Sequence, residues 1–141
     1  MKTFIFVSVL VCTLIFGSVS WKSTAAGDVQ KRKAVVEFPN PIDVQGAVLK
    51  GKYLFVHDDA AMNRGDACTF IYKGEAEVRE NLVTSFHCIH IERAKANNFI
   101  WRSREVVPGI MELVDFQFSG ETAAHGVPPS GKVEVVPLVI N

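Results

Sequence analysis

From Ala34 onward the chain breaks into short runs rich in Val, Ile, Phe and Tyr, cut apart by Gly, Pro and Asn. β-Branched and aromatic residues suit a pleated, half-buried surface, while Gly, Pro and Asn supply turns. The runs predict strands over Ala34–Phe38, Ile42–Leu49, Lys52–His57, Cys68–Tyr72, Leu82–Glu92, Phe99–Arg104, Met111–Phe118 and Lys132–Ile140. Turns are expected at Pro39-Asn40-Pro41, Lys50-Gly51 and Pro108-Gly109, and through Gly120–Gly131. Pro137 has no amide proton for a ladder, which puts the last strand at an edge or gives it a bulge. One short helix is expected over Asp58–Gly65, with an acidic N-cap, alanines and a glycine stop. The class is therefore all-β: a small antiparallel β-sandwich, immunoglobulin-like or prealbumin-like, or a small barrel.

The first residues read as a secretory signal peptide. Met1-Lys2 is basic, Phe4–Phe16 is apolar, and GSVSWKSTAAGD follows with many small residues. The apolar run is shorter than the roughly 20 residues a spanning helix needs. Cleavage is expected after Ser20 or Ala26, and the second is preferred. This divides the chain into a signal peptide (1–26), a flexible lead-in (27–33) and a single β-domain (34–141). Removing 26 of 141 residues leaves 115, enough for one modest core. It also removes Lys2 and Lys22 but no acid, so 13 basic residues face 15 acidic ones. That balance excludes general nucleic-acid binding, which needs a basic excess. The expected location is the periplasm or the extracellular space, with no stable membrane span after cleavage.

Cys12 leaves with the signal peptide, so Cys68 and Cys88 remain. In an oxidising compartment they are expected to form a disulfide. Strand parity supports the pairing. Cys68, Phe70 and Tyr72 share one face of their strand, and Thr84, Phe86, Cys88 and His90 share one face of theirs. A hairpin with Cys68 opposite Cys88 sets Phe70 opposite Phe86 and Tyr72 opposite Thr84. Closing a loop of this length contributes roughly 3 kcal/mol in the chain-entropy model.

TSFHCIHIER also admits another reading. It holds His87, Cys88 and His90 together in a chain with four histidines and three cysteines. His57, Cys88, His90 and His125 form an alternative ligand set for copper or zinc, since mixed Cys/His donors suit both ions. Against it, His87 points away from Cys88 on a regular strand, and no C-x-x-C or H-x-x-x-H spacing occurs. A third possibility is a redox-active Cys68/Cys88 pair, which needs surroundings that stabilise a thiolate.

Other constellations are thinner. Arg64-Gly65-Asp66 spells an adhesion tripeptide but sits where a turn is expected. Asp58, Asp59, Asn63 and Asp66 do not match the twelve-residue calcium loop. Ser85, His87 and Asp115 name a hydrolytic triad, yet no nucleophile elbow accompanies them. The stretch with His125, Gly126, Pro128 and Pro129 is a candidate functional surface loop, because long connections in compact domains often carry function.

VEFPNPIDVQGAVLKGKYLFV resembles the opening of short exported bacterial β-proteins, although Lys50 stands where many such turns carry proline-alanine. KGKYLFVHDD, ACTFIY, TSFHCIHIER and FQFSGETAAHGVP are together similar to uncharacterised secreted bacterial proteins with the same order of segments. The resemblance implies a bacterial, exported β-domain and brings no activity or catalytic residue with it. The expected role is a non-enzymatic binding or structural module of the cell envelope, without a cofactor; its partner is left open, with an envelope protein or a small ligand as candidates. The alternative is a periplasmic copper- or zinc-binding protein.

Overall fold

The computed structural model describes residues 30–130. The expected signal peptide, the start of the lead-in, and the strand Lys132–Ile140 with Pro137 lie outside the described residues. The described chain is all-β, with strands β1 (Lys31–Val44), β2 (Ala47–Asp58), β3 (Thr69–Lys73), β4 (Leu82–Phe86), β5 (Ile89–Glu92), β6 (Ile100–Val107), β7 (Ile110–Gln117) and β8 (Ala123–Gly126). The single short helix α1 covers Asp59–Asn63, where the Asp58 carboxylate accepts from the Ala61 amide. Among the described residues no helix is long and apolar enough to cross a membrane.

Gln45 and Gly46 both adopt positive φ, 56° and 81°. Two such residues make the tight turn that matches strand twist, so β1 and β2 form a long hairpin. The turn expected at Lys50-Gly51 is instead inside β2. There Phe38 faces Gly51 and Ile42 faces Leu49, so Pro39-Asn40-Pro41 forms a bulge in one continuous strand. Prolines are tolerated at such a break because no ladder donor is needed. Lys31–Lys33, expected as a flexible lead-in, pair with Val56–Asp58 as the start of β1.

All eight strands join one sheet, ordered β4-β3-β2-β1-β7-β8-β5, with β6 on the other edge of β7. The sheet is mixed, not purely antiparallel as expected, because β1 runs parallel to β7 at Ile42–Asp43. It is also curled and doubles back at β7. β1 and β8 both pair with the edge of β7 opposite β6, so β4 and β5, the two ends of the order, return toward each other. Only His87 and Cys88 separate them in sequence, and three Cα steps reach about 11 Å.

The concave side of the curl holds the main core, including Phe38, Leu49, Phe55, Ile71, Phe86, Leu113 and Phe116. Phe55 of β2 meets Phe116 of β7 edge to face at 5.2 Å. Leu54, Val56 and Tyr72 form a smaller cluster on the opposite face. β2 is thus buried on both sides, and its Tyr53–His57 run has no polar alternation.

The β3–β4 register departs from expectation by one residue. Phe86 faces Thr69 and Ser85 faces Phe70. Phe70 and Phe86 consequently join different clusters, since a single-residue slip reverses every side chain. The cause lies in the connection: a 3-10 turn over Arg79–Asn81 leads into a bulge that leaves Val83 unpaired.

Candidate metal centre

The curl gathers four donors that are distant in sequence. His57 lies near the end of β2, on the inward face it shares with Phe55. His125 lies on β8, stacked on Phe116 with ring centroids 5.2 Å apart. β1 and β8 pair with the same edge of β7, which brings β8 toward β2, and the rings of His57 and His125 are 4.0 Å apart. Cys68 immediately precedes β3, and its amide donates to the Phe86 carbonyl at 3.1 Å. Cys88 is the second residue after β4, where the chain crosses toward β5, and its amide donates to Cys68 Sγ at 3.2 Å. All four residues are buried.

Cys88 Sγ is the hub. It lies 3.4 Å from His57 Nε2 and 3.5 Å from His125 Nδ1. These three ligand atoms all fall within 4.8 Å of one another. A tetrahedral zinc with Zn–S of about 2.3 Å and Zn–N of about 2.0–2.1 Å has a sulfur-to-nitrogen edge of about 3.5 Å. Both observed edges match it. Cys68 Sγ is 3.0 Å from Cys88 Sγ, near enough to be a fourth donor after a small rotation.

The expected disulfide is not formed in this structure. Cys68 Sγ and Cys88 Sγ are in contact at 3.0 Å, beyond the roughly 2.05 Å of a disulfide. With the β3–β4 register shifted, Cys88 leaves the ladder and turns its sulfur toward the two imidazoles. Burial, and next the contact with Cys68, push the Cys88 thiol up to about 12. A free thiolate is thus disfavoured, which counts against the redox-active pair.

Burial likewise lowers the His57 pKa to about 4, helped by His125 and opposed by Asp59. His57 is consequently neutral at pH 7, the form that ligates metals. Its Nδ1 is fully buried and makes no hydrogen bond among the described residues, although Asp59 Oδ1 is only 3.1 Å away. His125 is held more firmly, with Nε2 3.0 Å from Glu121 Oε2. Burial alone would raise the Glu121 carboxyl, but His125 and Arg32 outweigh it and hold it below the usual value. Both imidazoles thus turn one nitrogen toward Cys88 and the other toward a carboxylate, and His125 makes the carboxylate–histidine hydrogen bond common at metal sites. A cleft of about 360 Å³, lined by Arg32, Asp59, Met62, His90 and Glu121 among others, opens onto the two histidines.

The other expected site residues fall elsewhere. His90 lies opposite His125 on the β5–β8 ladder, but it is exposed and stands outside the gathered donors. His87 turns outward, its Nδ1 2.7 Å from the Asp66 carbonyl. Asp115 is engaged by Arg93 and Arg102, so Ser85, His87 and Asp115 form no triad. Arg64 and Asp66 pair with each other at 2.9 Å.

The candidate surface loop is partly strand. His125 and Gly126 belong to β8, and a Cβ on Gly126 would lie 2.9 Å from the Ile91 side-chain tip and 3.2 Å from the Ile89 Cβ and carbonyl, so β8 packs tightly on β5 here. Pro128 follows, with its carbonyl accepting from the Gln45 amide, and Pro129 lines a separate cleft beside Arg104 and Glu112. Sequence reasoning missed Cys68 beside the gathered donors, and it missed Arg32, Asp59 and Glu121 behind the histidines. The Glu121-x-x-x-His125 spacing was the one local hint.

No protein-family model, curated protein or solved structure matches this chain.

Proposed function

We propose that this chain is an exported β-domain of the bacterial cell envelope that holds one thiophilic metal ion, zinc or copper(I), between His57, Cys68, Cys88 and His125. The observation that carries the reading is the meeting of Cys88 with two buried imidazoles at the sulfur-to-nitrogen spacings of a metal's coordination edges, with the buried Cys68 sulfur in contact beside them. Mixed soft sulfur and imidazole donors favour these ions over magnesium or calcium, which prefer oxygen. A set of four protein donors leaves no open position for a substrate, so the role is to keep an ion, not to transform a ligand. The two carboxylates at the cleft, set against one guanidinium, leave an excess negative charge that draws cations.

Titration of the reduced full chain with cobalt(II), a coloured surrogate for zinc, tests this. The expected result is one equivalent bound, with intense tetrahedral d–d bands and sulfur-to-cobalt charge transfer, all displaced by zinc. Anaerobic competition with a copper(I) chelator decides between the two ions. Failure of cobalt, zinc and copper(I) alike to bind at micromolar concentration would overturn the reading.

A further inference from the structure

Arg32 stands directly opposite His57 on the β1–β2 ladder. Its Nη1 lies 3.0 Å and 3.2 Å from the two Asp59 oxygens, and its Nε pairs with Glu121 Oε1. One guanidinium therefore ties together both carboxylates that back the histidines. A planar fork with several donors can serve two carboxylates at once, which a lysine ammonium at the same place cannot do in fixed geometry.

We infer that Arg32 is the positioning residue of this centre, fixing opposite tautomers on the two imidazoles. The inference rests on the metal reading only for its effect on affinity. His125 donates from Nε2 to Glu121, which leaves the Nδ1 lone pair facing Cys88. His57 Nδ1 makes no hydrogen bond among the described residues but lies 3.1 Å from Asp59 Oδ1, and the nearby negative charge favours a proton there, leaving the Nε2 lone pair facing Cys88. The two histidines thus offer different nitrogens to one point. Without Arg32 the two carboxylates would lose their shared cation, and neither ring would be held to one tautomer. Arg32 is part-exposed at the cleft, so its removal leaves the aromatic core untouched.

The test compares the wild type with Arg32→Gln by nitrogen-15 NMR of the reduced, metal-free full chain, followed by zinc competition. The wild type is expected to show a proton on His57 Nδ1 and on His125 Nε2. The variant, folded by circular dichroism, is expected to show mixed tautomers and roughly 10–100-fold weaker zinc binding, the usual effect of an outer-shell change. Unaltered tautomers in the variant would overturn the inference. Should Arg32→Gln not fold, Arg32→Lys carries the same test, with one ring expected to keep its tautomer and the other to lose it. If the wild type binds no ion, the metal reading fails, while the tautomers still decide the role of Arg32.

Discussion

Replacing Cys88 with serine is expected to abolish the proposed metal binding, with a loss well beyond the roughly 10–100-fold of an outer-shell change. Cys88 Sγ is the donor in contact with all three of the others, His57, His125 and Cys68. Serine is close in shape, but its hydroxyl does not ionise near neutral pH and is a poor partner for zinc or copper(I). The buried Cys88 thiol, pushed up to about 12, must itself lose its proton to the ion, so binding releases acid that a pH-stat records. Cys68→Ser is the instructive contrast. It spares His57, Cys88 and His125, so a weakened three-ligand site should persist with one sulfur-to-cobalt band reduced. Equal binding by wild type and Cys88→Ser would place the ion elsewhere.

Asp115→Ala is expected to cost about 3 kcal/mol of stability, measured by urea unfolding of the metal-free protein. Asp115 is almost wholly buried on β7 and receives Arg93 at 3.0 Å and Arg102 at 2.5 Å. Breaking a buried pair typically costs about 3–5 kcal/mol, because a charge is left without a partner. Here the survivors are guanidiniums with 41% and 37% exposed side chains, so solvent recovers part of the loss and the low end applies. The network reaches the centre as well. Gln117, bonded to Arg102, donates to the carbonyls of Ala94 and Glu121 and so holds the turn that carries the Glu121 carboxylate. A change below about 1 kcal/mol would show that this charge cluster contributes little to the fold.

Much of the strand pattern was legible because β-branched and aromatic runs declare themselves, and α1 was legible from its Asp58 cap. β8 was not. Ala123-Ala124-His125-Gly126 has no β-branched residue, and it becomes a strand only because β5 and β7 both offer it ladder partners. The basic start of β1 was misread for the same reason: polar residues pair when a long β2 lies alongside. At the site, TSFHCIHIER drew attention to His87 and His90, whose rings turn to the Asp66 carbonyl and to the open cleft. Its cysteine is what matters. The partners of Cys88 lie 31 and 37 residues away in sequence, and only the curl of the sheet brings them in. The Cys68–Cys88 proximity was foreseen correctly and its chemistry differently, since parity can place two sulfurs together without saying whether they bond or share an ion.

Native mass spectrometry of the full-length protein, purified under reductant and supplied with zinc or copper(I), bears most directly on the centre. The expected spectrum is the polypeptide carrying one ion, with thiol protons displaced, and it reverts to the bare chain on chelation. A chain lighter only by the hydrogens of a disulfide, taking up no ion even after reduction, would contradict it.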